Sequence, residues 1–142
     1  MPSNAAFLTP VLALVVWTLV MWFWMYATRI PAMKKAGIDP QDAAHPGTWT
    51  DRIPSRVRGV ADNYNHLHEQ PTIFYALMFF AAMTAGGNAT ALNLAWAYVA
   101  SRIVHSLVQA TTNTVMLRFI LFSIGSFILM TFAILQALRV LR

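Results

Sequence analysis

Charged and polar side chains interrupt segments that are otherwise long and apolar enough to cross a membrane. Arg102 and His105 lie inside the apolar run 89–108, and Glu69 stands just before the run 71–80. A charge in hydrocarbon is costly, so residues of this kind usually face the interior of a bundle and mark a pathway or a binding site. The pattern therefore predicts a membrane bundle with an internal polar pocket.

The apolar segments have the length of membrane-spanning helices. Such a helix needs about 20 mostly apolar residues. Four segments qualify, approximately 5–28, 62–85, 90–112 and 115–138, and a polar loop at 29–58 joins the first two. Pro31 is the predicted end of the first helix. Open sheets are excluded because their unpaired edges cannot lie in lipid. We therefore predict an all-α, integral membrane four-helix bundle, with residues 1–142 forming one domain.

Composition agrees with lipid as the solvent. The chain is 58% hydrophobic and 11% charged, whereas a soluble domain carries about 25% charged residues. It contains no cysteine, which excludes disulfides, zinc thiolates and a cysteine nucleophile, and no metal site is expected. The net charge of +5 is not gathered on one solvated face, so nucleic acid is not an expected partner. Residues 1–10 lack Lys and Arg, and we interpret the first apolar run as a retained helix rather than a signal peptide.

The distribution of basic residues predicts the orientation. The long loop and the start of the fourth helix hold Arg29, Lys34, Lys35, Arg52, Arg56, Arg58 and Arg118. The opposite side holds only Arg139 and Arg142. The positive-inside rule therefore places the long loop in the cytoplasm and both termini outside.

Two polar stripes are predicted at one depth in the membrane. They consist of Asp62, His66 and Glu69, with Asn65 beside them, on the second helix, and of Arg102, His105 and Gln109 on the third. At about 1.5 Å per residue, Glu69 and His105 lie about 10 Å from the inner face and Arg102 about 15 Å. Glu69 and Arg102 are expected to pair, because an unpaired buried ion is costly. The alternative is that the stripes only hold the helices together, with His105 as a packing histidine.

Two further residues are informative. Arg118 opens the fourth helix, where a cation opposes the helix dipole. A bound anion would explain its presence, and a positive-inside anchor is the alternative. Pro71 frees a backbone carbonyl one turn earlier and is expected to bend the second helix near Glu69.

Two stretches resemble the MAPEG family, the membrane-associated proteins in eicosanoid and glutathione metabolism. One is Asn65–Tyr75, with the sequence NHLHEQPTIFY, and the other is Arg102-x-x-His105 followed by Asn113 and Arg118. The loop segment 34–43 is also similar, so the resemblance spans essentially the whole chain. It is greatest to bacterial members of unassigned activity, and a bacterial plasma (inner) membrane is therefore the expected location.

The resemblance implies a homotrimer that binds glutathione between its subunits, in the inner half of the membrane. Arg118 matches the family arginine that stabilises the reactive thiolate, and it is the predicted catalytic residue. The predicted glutathione-binding residues are Arg58, Asn65, Glu69, Arg102, His105 and Gln109. The chain departs from the family pattern at Gln109, where many family enzymes have Tyr, and in the spacing of its second-helix polar residues. Asp62 is expected to repel a glutathione carboxylate.

Three functions are therefore considered. The first is a membrane glutathione-dependent transferase or peroxidase that acts on lipophilic small molecules entering from the bilayer. The second is a non-catalytic module, which binds membrane lipid or serves as an accessory subunit of a larger membrane complex; Gln109 and Asp62 favour it. The third is proton or ion transfer through Glu69, His66, His68 and His105, and four short helices without a broken pair make it the least favoured.

Overall fold

The helices follow one another with short connections, apart from one long loop near the start. The computed structural model describes residues 3–45, 47–84 and 86–141, and the regular elements in these residues are all helical. They are α1 (Asn4–Lys35), α2 (Ser55–His66), α3 (Gln70–Met83), α4 (Ala89–Ala110) and α5 (Val115–Val140). The elements α2 and α3 together take the place of the predicted second helix. The predicted all-helical bundle of four helices is thus confirmed.

Two helices of the described chain, α1 and α5, are long and apolar enough to cross a membrane. The most apolar 18-residue window of each has a mean hydropathy of 2.1, and only 22% of each window is buried. The core helix of a soluble protein would bury most of such a window. Large side chains such as Phe23 and Phe119 are instead 68% and 64% exposed. These exposed apolar surfaces are suited to contact with lipid.

The first helix is longer than predicted. It passes through Pro31 and ends at Lys35, so the predicted end near Thr28 is wrong. A proline removes one helical hydrogen bond and can be accommodated when tertiary packing holds the following turn. Here Ala32 and Met33 of that turn pack against a small apolar cluster in the loop.

The second helix is interrupted. It begins at Ser55 rather than near Asp62, breaks at residues 67–69, and resumes as α3. Pro71 lies in the first turn of α3, where its missing N–H has no helical partner to lose. The predicted distortion near Glu69 is therefore confirmed, in the form of a break. Because of this break, the predicted stripe does not lie on a single helix, although the Glu69 side chain still contacts His66 three residues before it.

The third and fourth predicted helices agree with α4 and α5 to within two residues at each end. The Asn88 side chain caps α4 by accepting a hydrogen bond from the Ala91 backbone N–H, at 2.9 Å. The ring of Tyr98, in the middle of α4, stacks on Phe74 of α3 with centroids 4.8 Å apart. The helix α4 contacts α1, α2 and α5 and forms the centre of the bundle.

The loop 36–54 is folded rather than extended. It contains two 3-10 turns, Pro40–Ala44 and Thr50–Arg52. Ile38, Trp49 and Ile53 are buried together as a separate small core. The Arg52 guanidinium donates to the Ala36 carbonyl oxygen at 3.1 Å and ties the end of the loop to its beginning. The loop therefore forms a cap on one end of the bundle.

Candidate functional site

Helices α2, α4 and α5 meet at a cleft beside the start of α5. We call it the arginine cleft, and its lining residues are His66, His105, Val115, Arg118, Phe119 and Phe122. Its volume is about 230 Å³. The rings of His66 and His105 lie 5.1 Å apart, and His66 stacks on Phe122 at 5.3 Å. The cleft thus combines a guanidinium and two imidazoles with an apolar wall.

Arg118 is held in place by the turn that precedes α5. Its Nη1 donates to Asn113 Oδ1 at 2.6 Å, and its Nε is enclosed with no hydrogen-bond partner among the described residues. Asn113 has a φ of 52°, in the left-handed region that asparagine tolerates better than most residues. One residue therefore both forms the turn and orients the guanidinium.

Arg102 is the most deeply placed charge of the described chain. Its side chain is 1% exposed, and its Nε and Nη1 find no partner among residues 3–45, 47–84 and 86–141. Its Nη2 donates to the backbone carbonyl of His66 at 3.3 Å and approaches His66 Nδ1 at 3.4 Å. His66 is the last residue of α2. The guanidinium therefore lies at the carbonyl end of a helix, where the helix dipole favours a cation.

The predicted ion pair between Glu69 and Arg102 is not formed. Glu69 Oε2 lies 3.4 Å from His66 Nε2 instead, and the Glu69 side chain is 66% exposed. The break in the second helix explains the partner that Arg102 has, because it ends α2 at His66 and leaves the His66 carbonyl free to accept from the guanidinium. His66 thus bridges the two groups. Because a guanidinium only donates, Nδ1 accepts from Arg102 and Nε2 carries the hydrogen that points to Glu69.

The predicted glutathione-binding residues divide between several places. His105 lines the arginine cleft together with Arg118. Arg102 and Gln109 are enclosed between helices, at 1% and 3% exposure. Arg58 and Asn65 line a different cavity, beneath the loop 36–54.

Sequence reasoning missed the polar seam between α2 and α4. Asn63 is fully buried at 0% exposure, and neither end of its amide has a partner within the described residues. Ser106 is also buried, and its hydroxyl has no hydrogen-bond partner among the described residues. The available signal was the spacing of Gly59, Asn63 and His66, which is four and three residues and defines one helical face. A Cβ built on Gly59 would lie 2.9 Å from the Gln109 carbonyl oxygen, so the two helices approach closely there.

Sequence reasoning also missed the aromatic residues that complete both cavities. Phe122 forms the wall of the arginine cleft, and Trp49 closes the cavity beneath the loop. Neither residue stands out in a chain that is 13% aromatic. Their positions depend on the packing of the loop and of α5, which no local spacing encodes.

Fold and site together define a helical protein with two apolar helices of membrane-spanning length, a buried arginine, and an arginine-lined cleft at the start of its last helix. The chain belongs to the MAPEG family, whose sequence profile matches residues 7–138, nearly its whole length. No significant match was found among curated proteins or among solved structures.

Proposed function

We propose that this protein is a membrane glutathione-dependent transferase or peroxidase that acts on lipophilic electrophiles. The observation that carries the proposal is Arg118, a guanidinium at the start of α5 that lines a cleft shared with His66 and His105. Glutathione would supply the thiol that this cysteine-free chain lacks. Membership of a family linked to glutathione supports this proposal.

The local charge suits a thiolate. A free thiol has a pKa of about 8.5, and a neighbouring cation or a helix N-terminus lowers it. The arginine cleft offers both, because Arg118 lies in the first turn of α5. Its bond to Asn113 fixes one guanidinium nitrogen and leaves other N–H groups to hold an anion. In this proposal Arg118 binds and stabilises the sulfur anion.

One further cation is placed to meet a carboxylate of the tripeptide. Glutathione carries two carboxylates, and Arg58 lines the cavity beneath the loop. Arg102 is 1% exposed and lines neither cavity, so in this proposal it supports the end of α2 and does not contact the ligand. Arg58 and Asn65 line a different cavity from Arg118 within one chain. The proposal therefore includes the homotrimer implied by the family, in which the glutathione site lies between subunits and combines residues of neighbouring copies.

The acceptor is proposed to enter from the bilayer. Val115 and Phe119 line the arginine cleft and are 74% and 64% exposed. An electrophile dissolved in lipid would meet the thiolate at this apolar edge, where holding both reactants together lowers the barrier. The proposed location is a bacterial plasma membrane with the folded loop in the cytoplasm, as the basic residues of that loop indicate.

The test is the ultraviolet difference spectrum of the purified protein with glutathione, which reports the thiolate directly. We expect a thiolate band with the natural protein and its loss in Arg118→Ala. The matched control is Arg139→Ala, at the other end of α5, where Arg139 bonds to Thr84, and it should retain the band. The same spectrum from Arg118→Ala as from the natural protein would refute the role of Arg118.

A non-catalytic role is the second candidate. Gln109 is 3% exposed and does not line the arginine cleft, so it provides no polar group at that position. A cleft walled by Phe119 and Phe122 also suits a lipid chain. Native mass spectrometry distinguishes the two: a stoichiometric lipid or partner subunit retained together with no glutathione affinity would favour a lipid-binding or accessory subunit.

A further inference from the structure

A cavity at the end of α1 shares no residue with the arginine cleft or with the cavity beneath the loop. We call it the basic groove, and its volume is about 450 Å³. Its lining residues are Pro31, Ala32, Lys35, Ala36, Arg52 and Pro54. Two of these residues are cations and none is acidic. The groove therefore has walls of one charge sign, which favour an anionic ligand.

The folded loop fixes the Arg52 guanidinium at this groove. Its Nη2 donates to the backbone carbonyls of Ala36 and Gly37, at 3.1 and 3.4 Å. The Asp42 carboxylate approaches Nη1 only to 4.0 Å, and the Arg52 side chain remains 49% exposed. A guanidinium has five N–H donors, so Nη1 and Nε still have N–H groups to offer to a ligand.

Lys35 provides the second cation of the groove and is accessible. It is the last residue of α1, is exposed, and forms no ion pair with any of the described residues. The neighbouring Lys34 is also exposed but does not line the groove. A comparison of the two lysines therefore separates contact within the groove from a general attraction between basic residues and anions.

An exposed, mostly apolar strip of α1 leads directly to the groove. Phe23, Ala27, Pro31 and Lys35 follow one another at four-residue spacing, which places them on one side of the helix, and all four are exposed. From Phe23 to Lys35 the helix rises about 18 Å, which is comparable with half of the roughly 30 Å hydrocarbon core of a bilayer. A lipid whose acyl chain lies along this strip would therefore have its phosphate at Lys35 and Arg52.

We propose that the basic groove binds the phosphate of an anionic phospholipid from the leaflet that faces the loop. Lys35 and Arg52 hold the phosphate oxygens, and the exposed strip of α1 contacts an acyl chain. Basic residues at the membrane end of a helix attract anionic lipid. The apolar strip favours a lipid over free phosphate, which has no acyl chain to bury. This inference holds whether or not the protein binds glutathione.

The charges of the groove also distinguish between classes of phospholipid. Phosphatidylglycerol and phosphatidylcholine both carry a phosphate, but phosphatidylcholine also carries a quaternary ammonium. None of the lining residues is acidic, so no carboxylate receives that ammonium, and the two cations repel it. The groove should therefore prefer phosphatidylglycerol.

The test measures the lipid that the full-length protein retains. The protein in dodecyl maltoside is incubated with equimolar phosphatidylglycerol and phosphatidylcholine and passed through gel filtration, and the bound lipids are extracted and quantified by mass spectrometry. We expect a preference for phosphatidylglycerol of about tenfold or more, because each basic contact provides about fivefold. Lys35→Gln should lower this preference about fivefold. A natural protein that retains both lipids equally would overturn the inference.

Lys34→Gln is the matched control, because it removes the same charge one residue away and outside the groove. It should keep most of the preference. Equal losses in Lys34→Gln and Lys35→Gln would overturn the inference, because they would show only a diffuse attraction of basic residues for anionic lipid. Arg52→Gln is a second groove variant and should lower the preference as Lys35→Gln does. Folding of each variant is checked by its helical circular dichroism.

Two further outcomes identify the ligand and its place. Excess inorganic phosphate in the gel-filtration buffer should not displace phosphatidylglycerol, because the acyl chain along α1 contributes to its retention. Displacement would overturn the assignment to a lipid in favour of free phosphate. Loss of phosphatidylglycerol in Arg118→Ala, with full retention in Lys35→Gln, would place the lipid in the arginine cleft and overturn the inference.

Discussion

Replacing Glu69 by Gln measures whether the buried charge of Arg102 is stabilised by a carboxylate. In the structure it is not: Arg102 lies at the carbonyl end of α2, and Glu69 contacts His66 instead. The substitution keeps the shape of the side chain and removes its charge. It therefore distinguishes a buried ion pair from a cation held by a helix end.

A buried ion pair and a cation held by a helix end predict different losses in the free energy of unfolding. Loss of one partner from a buried ion pair costs about 3–5 kcal/mol, because the other charge remains buried and unpaired. Loss of an exposed contact costs about 0–1 kcal/mol. The Glu69 side chain is 66% exposed and its partner is the imidazole of His66, so we expect the smaller cost.

Thermal unfolding in one detergent, followed by circular dichroism, gives the comparison. With a shift of roughly 3 °C in Tm per kcal/mol, Glu69→Gln should lower Tm by at most a few degrees. Arg102→Met is the companion variant, and it should lower Tm further because it removes the donor to the end of α2. A fall of about 10 °C or more for Glu69→Gln would show that Glu69 and Arg102 form a buried pair.

Three further predictions concern packing, the loop and the cleft. Gly59→Ala should be destabilising by about 1–2 kcal/mol in a detergent unfolding assay, because its Cβ would meet a backbone oxygen at 2.9 Å. Gly125→Ala meets a side-chain hydroxyl at the same 2.9 Å, and rotation of that hydroxyl should make it near neutral; equal losses would contradict this reasoning. Trp49→Ala should speed proteolysis within the loop, since the residue is 4% exposed, whereas Trp22→Ala, at 44% exposed, should leave the cleavage rate unchanged. Asn113→Gly should retain the turn with its φ of 52° and still weaken the thiolate band, because it removes the acceptor 2.6 Å from the cleft arginine; an undiminished band would show that this contact is not needed.

Much of the fold was predictable from the sequence. Apolar length located α5, since lipid requires about 20 apolar residues in a spanning helix. It also located α4, although α4 is not among the described helices that are apolar enough to span a membrane. The end of α1 was not predictable from Pro31, because the following turn is held by packing against Trp49 and Ile53 in the loop. Local signals describe where a helix can stop, and distant contacts decide whether it does.

The candidate site was predictable in its residue types more than in its pairing. Arg102 and His105 were identified from the cost of placing polar groups in lipid, and both are buried. The predicted partner of Arg102, Glu69, was wrong because the break before Pro71 creates a helix end that no spacing rule reveals. The cavity beneath the loop 36–54 was missed for a related reason, since Arg29 and Trp49 meet only when the loop folds.

The central claim is that the guanidinium of Arg118 holds the glutathione thiolate in a membrane-embedded site. A density map of the lipid-reconstituted protein with glutathione tests it most directly. We predict ligand density in the arginine cleft, with the sulfur beside Arg118. Density for lipid alone in that cleft, or a sulfur bound away from the guanidinium, would contradict the claim.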